Sequence, residues 1–96
     1  MSLKTESNTD QVICHLSGRL DTIISQNLEP EINKYTDPGK KLIFDFSQVD
    51  YISSTFLRIC LMKFKERGSE KFWIRHPKPD VKKVFMIAGL NRLLKD

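Results

Sequence analysis

Three consecutive hydroxyl side chains, Ser53-Ser54-Thr55, are the residues of this chain best placed to do chemistry. They follow a largely apolar stretch that starts at residue 41, and they directly precede an amphipathic run that ends at Gly68. This pattern predicts hydroxyls at the N-terminus of a helix, where unpaired backbone N–H groups and a partial positive charge favour anions. A hydroxyl there can carry a phosphate or respond to one. The competing interpretation is that Ser53 or Ser54 only caps the helix.

The rest of the sequence contains few of the residue patterns that an enzyme would need. It contains no glycine-rich phosphate loop, no His-Glu-x-x-His and no Gly-x-Ser-x-Gly. His15 falls in a predicted strand and His76 precedes a proline, and neither has an evident acid or base partner. Cys14 and Cys60 belong to no metal-binding or Cys-x-x-Cys spacing, so buried structural thiols are the simplest interpretation. We therefore expect no enzymatic activity, no cofactor and no metal site.

Composition is typical of a single globular domain. The 96 residues are enough for one core, so residues 1–96 are predicted to form one domain. The formal net charge of +4 permits nucleic-acid binding, but the cationic side chains are spread along the chain. A solvated basic surface is simpler, and attraction to an acidic protein fits equally well. The chain begins without an apolar signal region and has no membrane-length apolar run, so we expect a cytoplasmic protein with no membrane insertion.

Strand and helix signals alternate in the first half of the chain. Alternating apolar side chains predict a strand over residues 11–17, with residues 3–8 as its hairpin partner across Asn8-Thr9-Asp10. A helix is predicted from near Ser25 or Asn27 to about residue 35, because an earlier start would place Pro30 in its interior. Asp37-Pro38-Gly39 is expected to turn the chain.

The second half continues the alternation. Strands are predicted over residues 42–46 and 71–75, with Trp73 in the core, and a helix over 81–88 capped by Asp80. A short helical turn is expected over 91–94. Gly68 and Gly89 are expected to end the two later helices. The order β-β-α-β-α-β-α predicts an α/β domain: a mixed four- or five-stranded sheet with helices packed mainly on one face.

A helical wheel of the run after Ser54 predicts which residues of that helix face a partner. The predicted core-facing stripe consists of Leu57, Cys60, Leu61 and Phe64. Ile59 and Met62 then point away from the core, with Thr55 between them in angle and Arg58 at the edge. We expect these residues to form an apolar strip below the hydroxyls that contacts a partner protein. If so, Ile59→Asp would weaken binding without unfolding the domain.

Three segments of the chain carry a family resemblance. They are Gly18-Arg19-Leu20-Asp21, residues 42–54 with the sequence LIFDFSQVDYISS, and residues 88–94 with the sequence AGLNRLL. In this order and spacing they resemble the STAS domain of bacterial anti-sigma factor antagonists, over about residues 4 to 95. The resemblance implies a non-enzymatic protein that binds an anti-sigma factor serine kinase and so frees a sigma factor. In the family, phosphorylation of one serine by that kinase ends the complex.

The resemblance also implies which residues act. The phosphorylated serine of the family falls on Ser54, with Thr55 as second choice, and a nearby acidic residue falls on Asp21. Ser53 stands where the family often has an acid, and Phe56 where it usually has a small residue, so this ring is expected to narrow kinase access or to select another partner. The predicted partner-binding set is Asp21, Ser53, Ser54, Thr55, Phe56, Arg58, Ile59 and Met62.

Two other functions remain open at this point. Phe56 favours a STAS subunit of another assembly, such as a transporter's cytoplasmic component or a stress-signalling complex. The basic charge leaves room for a small nucleic-acid-binding domain, whose affinity would fall steeply with salt, although no nucleic-acid partner is expected. A monomer is the expected state of the free protein.

Overall fold

The order of secondary structure elements is the predicted one. The structure, a computed structural model, describes residues 3–35, 37 and 39–95. Its elements are β1 (Lys4–Ser7), β2 (Gln11–Leu20), α1 (Thr22–Ile32), β3 (Lys41–Ile52), α2 (Ser54–Arg67), β4 (Phe72–Arg75), α3 (Pro79–Ile87) and a short 3-10 helix (Asn91–Leu93). The predicted turn at 37–39 includes Pro38, which lies outside the described residues. Of its other members, Asp37 Oδ1 accepts a hydrogen bond from the Gly39 N–H at 2.8 Å.

The described strands form one mixed sheet in the order β1-β2-β3-β4. β1 and β2 are antiparallel, whereas β2 with β3 and β3 with β4 are parallel. The predicted hairpin turn is present, because Asn8 Oδ1 accepts from the N–H groups of Asp10 and Gln11 at 2.8 and 2.9 Å. Leu94 adds one parallel bridge to Ile74 at the outer edge of β4. The predicted mixed sheet is therefore confirmed.

The buried apolar cluster joins one face of this sheet to α1, α2 and α3. Its centre is aromatic: the Phe44 ring lies 5.0 Å from Phe72 and 5.9 Å from Phe56, and Phe46 lies 6.1 Å from Phe85. Edge-on and tilted contacts of this kind suit the quadrupoles of the rings. This packing places β3 beneath the helices and confirms that they cover mainly one face of the sheet.

The opposite face of the sheet carries no helix from the described residues. Ile13, Ile43 and Trp73 are register partners across it. The expectation that Trp73 lies in the core is wrong, because it alternates with the buried residues Phe72 and Ile74 and so points to the other side. Its ring lies near the ammonium groups of Lys41 and Lys95, which are 5.9 and 4.5 Å from the centroid.

Two helix starts differ from prediction. α1 begins at Thr22, because Asp21 Oδ1 accepts from the Ile24 N–H at 2.9 Å and caps it. Pro30 therefore lies inside the last turn of α1, where its missing donor leaves one bond of the helix unmade. α3 begins at Pro79, and a proline at the first helical position needs no donor, so Asp80 lies in the first turn instead of capping.

The predicted ends of α2 and α3 are correct. Gly68 and Gly89 have φ values of 79° and 73°. Backbone in this region is open to glycine at no steric cost and strains other L-residues. The two glycines thus allow the chain to leave each helix where the sequence predicts.

Candidate functional site

The N-termini of α1 and α2 lie side by side at one end of the sheet. Leu20 and Ile52 are register partners at the carboxyl ends of the parallel strands β2 and β3. The Ser53 N–H donates to the Leu20 carbonyl at 2.9 Å, which holds the two strand-to-helix connections together. Across the helices, the Thr55 hydroxyl donates to Thr22 Oγ1 at 3.4 Å. The strand register therefore sets which residues of the two first turns meet.

Ser53 is the cap of α2 and faces the interior. Its side-chain oxygen accepts from the Phe56 N–H at 3.3 Å and lies 3.3 Å from the Ser25 hydroxyl. The Ser25 hydroxyl in turn donates to the Leu20 carbonyl at 3.4 Å. Both serines are buried. The prediction that Ser53 contacts a partner is thus wrong, because its hydroxyl is used to start the helix.

Ser54 is the first residue of α2 and is exposed. Its side chain makes no hydrogen bond to any other described residue. No acidic side chain lies in the first turn of α2, all of which is described. Thr55, the second candidate, is half-buried and already donates its hydroxyl proton to Thr22. Of the three hydroxyls, Ser54 is therefore the one that an enzyme can reach without disturbing the helix start.

The inner side of α2 contains two residues that were predicted to face a partner. Phe56 and Ile59 are 0% and 1% exposed. The Phe56 ring packs 5.9 Å from Phe44 and 6.0 Å from Phe46. The surface roles predicted for Phe56 and Ile59 are wrong, and the Phe56 ring does not stand over the Ser54 hydroxyl as a barrier.

The predicted rotation of α2 about its own axis was wrong. Apolar residues occur at almost every angle around this helix, so its helical wheel has no single polar side that would show which side faces the core. The structure turns Phe56, Ile59 and Cys60 inward and leaves Leu57 and Phe64 half-buried against the rim of the core. Lys63, which looks like a surface residue, is also buried. Its ammonium lies 3.3 Å from Glu66 Oε1, so the charged end reaches a partner at the surface.

The outer side of α2 keeps two of the predicted contact residues. Arg58 and Met62 are exposed, and the Arg58 guanidinium lies 3.7 Å from the Met62 sulfur one turn along. Met62 is 42% exposed. Together with Ser54 and Thr55 they form a continuous helical stripe, since positions 54, 55, 58 and 62 follow helical spacing.

Ile23 completes this surface and was missed by the sequence reasoning. It is 68% exposed and follows Thr22, whose hydroxyl meets Thr55. α1 buries Ser25, Leu28 and Ile32, and Ile23 lies on the opposite side of that helix. Recognising Asp21 as the cap would have set the helix start and found it. We call the set Ile23, Ser54, Thr55, Arg58 and Met62 the α1–α2 surface.

Asp21 lies at the border of the α1–α2 surface. It is half-buried, and its capping bond to Ile24 uses Oδ1. Arg19 and Tyr51 are register partners near the ends of β2 and β3. The Arg19 guanidinium lies over the Tyr51 ring, 4.3 Å from its centroid. The role of Asp21 in partner contact stays a prediction.

The two cysteines are buried, as predicted, and both are free thiols. Burial raises the pKa of Cys14 to about 12 and that of Cys60 well above its ordinary value. Both side chains are therefore neutral thiols that serve as small core residues. Among the described residues, no cluster of three or more His, Cys, Asp or Glu side chains is arranged to hold a metal ion.

Comparison with known proteins identifies the family of this chain. Residues 2–95 match the STAS domain. The chain belongs to the STAS domain family. BtrV from Bordetella bronchiseptica (strain ATCC BAA-588 / NCTC 13252 / RB50), which bears the provisional name of an anti-sigma factor antagonist, is 29% identical over 92 residues. The match covers 93% of this STAS domain chain and 79% of BtrV.

Solved structures show the same fold. The anti-sigma factor antagonist SpoIIAA in its unphosphorylated form has a TM-score of 0.79 at 22% identity, over 99% of this chain and 87% of that one. The phosphorylated form of SpoIIAA, described as a Bacillus cell fate determinant, has a TM-score of 0.72 at 20% identity, over 99% and 90%. The STAS domain described here thus has a SpoIIAA-like fold.

Proposed function

We propose that this STAS domain is an anti-sigma factor antagonist that binds an anti-sigma factor serine kinase through the α1–α2 surface and loses that binding when Ser54 is phosphorylated. The observation that carries the proposal is the division between neighbouring serines. Ser53 caps the helix from inside, while Ser54 is exposed and its hydroxyl bonds to none of the described residues. BtrV and SpoIIAA bear the name of anti-sigma factor antagonist, and SpoIIAA is known in a phosphorylated form, which supports the same role here.

The position of Ser54 suits a modification that leaves the fold intact. A phosphate adds about 1.5–2 negative charges at neutral pH. At the N-terminus of α2 such charge is favoured by about 0.3–1 kcal/mol, because the free N–H groups of the first turn point toward it. Phosphorylation of Ser54 is therefore expected to change what the surface binds, with the domain still folded.

The surroundings of Ser54 explain how a phosphate would end binding. Ile23 and Met62 expose apolar surface on either helix, and such residues commonly anchor protein interfaces. A kinase that covers them also covers Ser54. A phosphate enclosed in that interface loses its hydration, which costs several kcal/mol and is expected to release the complex. We expect this exchange to occur in the cytoplasm, with the free protein as a monomer.

The test is a phosphorylation assay with the cognate anti-sigma factor kinase and ATP. Wild type and Thr55→Ala should each gain one phosphate, Ser54→Ala should gain none, and peptide mass spectrometry should place the group on Ser54. The phosphorylated protein should lose affinity for the kinase while its circular dichroism spectrum is unchanged. Phosphate on Ser54→Ala, or kinase binding that survives complete modification of Ser54, would refute the proposal.

The alternative of a STAS subunit in a transporter or stress-signalling assembly was favoured only by a bulky Phe56 beside Ser54. Phe56 lies in the core, so it no longer supports that alternative. None of the helices in the described part of the chain is long and apolar enough to cross a lipid bilayer.

A further inference from the structure

Arg58 is the basic residue of α2 that lies one helical turn after Ser54. Residues four apart share a side of a helix, with Cβ atoms about 5–6 Å from each other. The Cα–Cβ bonds of a helix tilt toward its N-terminus, so the Arg58 side chain starts out toward Ser54. Both residues are exposed. The arginine can therefore reach a group attached to Ser54 Oγ by turning its own side chain, while the helix stays as it is.

The contact that Arg58 makes in the unmodified protein is weak. Its guanidinium lies 3.7 Å from the Met62 sulfur and makes no other polar contact within the described part of the chain. A thioether sulfur is a poor hydrogen-bond acceptor. Phosphate oxygens accept charge-assisted hydrogen bonds from arginine, often two in parallel, and these bonds are stronger. A phosphate on Ser54 is therefore expected to outcompete Met62 for the guanidinium.

The other basic residues of α2 are too far away or already engaged. Lys65 lies on the same side of the helix, but about 16 Å further along its axis than Ser54. Lys63 is buried and pairs with a glutamate near the end of the helix. Arg67 donates to backbone carbonyls of the connection between α1 and β3. The neighbouring helix α1 contains no basic residue. Of the two helices, only Arg58 can therefore supply a cation to a phosphate on Ser54.

The start of α2 leaves a role for this cation. A phosphate brings three strong acceptor oxygens. One donor of the first turn is already taken, because the Ser53 side chain accepts the Phe56 N–H at 3.3 Å. Asp21, which caps α1 at the border of the same surface, adds a charge of the same sign as the phosphate. A guanidinium on the outer side of α2 would offset part of that repulsion.

We propose that Arg58 is the ligand of the Ser54 phosphate within the same helix, and that its guanidinium leaves the Met62 sulfur to pair with the phosphate oxygens. This rests on the proposed function, in which a kinase transfers the γ-phosphoryl group of ATP to Ser54 Oγ while ADP leaves and the hydroxyl proton is released. Phosphorylation then changes the α1–α2 surface twice. It adds an anion, and it withdraws an arginine, a residue type that often anchors protein interfaces.

The test uses the full chain with phosphoserine incorporated at position 54 during translation, so that no kinase is needed. Arg58→Gln removes the cation, and Arg58→Lys keeps the charge without the planar fork of donors. Lys65→Gln is the matched control, because it removes one exposed positive charge from the same side of α2. Asp21 is present in every variant, so its effect on the phosphate cancels. The two readouts are the second pKa of the phosphate, by phosphorus NMR, and the carbon shifts of the methionine methyl groups.

The pKa of the phosphate should lie about 0.5 higher in Arg58→Gln than in wild type, because a neighbouring cation favours the dianion. Lys65→Gln should match wild type, and Arg58→Lys should lie between wild type and Arg58→Gln. The Met62 methyl signal should differ between the unmodified and phosphorylated wild type, because the arginine departs, and this difference should vanish in Arg58→Gln. Met86, exposed on α3, is the internal reference and should not move.

Three results would overturn this role of Arg58. They are the same phosphate pKa in wild type and Arg58→Gln, an equal rise in Lys65→Gln, and a Met62 signal that does not respond to the phosphate. The proposed function fails on other results, namely a kinase that does not modify Ser54 or that still binds the modified protein. Those results would leave the NMR measurements unchanged, so the two proposals can fail separately.

Discussion

The two sides of the first turns of α2 perform opposite tasks. Ser53, Phe56 and Ile59 face inward, where they start the helix and fix it on the sheet. Ser54 and Met62 face outward and do not belong to the buried core. The contrast shows how a switch can be placed on a small domain. Residues on one side of a helix stabilise the fold, and the residue next in sequence, on the other side, is then free to carry a charged group. Substitutions on the two sides of the helix test how complete that division is.

Truncation of Phe56 should have the largest effect. Phe56→Ala removes a fully buried ring that contacts two other phenylalanines, and is expected to lower the free energy of unfolding by about 3–5 kcal/mol. Phe56→Leu refills most of the space and should cost much less. Urea denaturation measures both. A loss below about 1 kcal/mol for Phe56→Ala would mean that the ring is not part of the core.

Ile59 and Met62 form a matched pair on the two sides of the helix. Ile59→Ala should destabilise the domain by about 2–5 kcal/mol, because the side chain is 1% exposed. Met62→Ala should leave stability within about 0.5 kcal/mol and instead weaken kinase binding. Thermal unfolding and binding titration of the two variants separate these effects. Equal stability of the two variants would put Ile59 back on the surface, where the helical wheel had placed it.

The sequence allowed the element order and the helix ends to be predicted because those signals are local. Gly68 and Gly89 end helices through their own backbone freedom, and Asn8 turns the β1–β2 hairpin through its own side chain. The late start predicted for α1 was wrong, because the rule against an interior Pro30 was applied without the other local signal. That signal is the cap by Asp21, which sets the start of the helix.

The candidate site was harder to predict because it depends on rotation of a helix about its axis. Ser54 could be placed at a helix start from its neighbours and from the family resemblance. Which side of α2 turns inward is set by contacts with residues far away in the chain, such as the rings of Phe44 and Phe46. A helix with apolar residues on every side does not encode that choice in its own periodicity.

The cap tests the inner side more gently. Ser53→Ala removes the acceptor for the Phe56 N–H and should cost about 1 kcal/mol. Ser53→Gly also removes the hydroxyl, yet glycine adopts the cap backbone easily and should cost only about a few tenths of a kcal/mol. Chemical denaturation of both variants distinguishes capping from the contact with Ser25, which both variants lose. Equal losses for alanine and glycine would assign the effect to that contact.

Changes at Ser54 should have the smallest effect on folding. Ser54→Ala is expected to change the free energy of unfolding by less than about 0.5 kcal/mol, because the side chain is exposed and bonds to no described residue. Ser54→Asp should raise it by about 0.3–1 kcal/mol at low salt through the free N–H groups of the helix start, and this gain should shrink as salt is added. Denaturation at two salt concentrations measures both effects. A domain that Ser54→Asp destabilises by more than about 1 kcal/mol would couple the phosphate to unfolding, and the division between the two sides of α2 would then not hold.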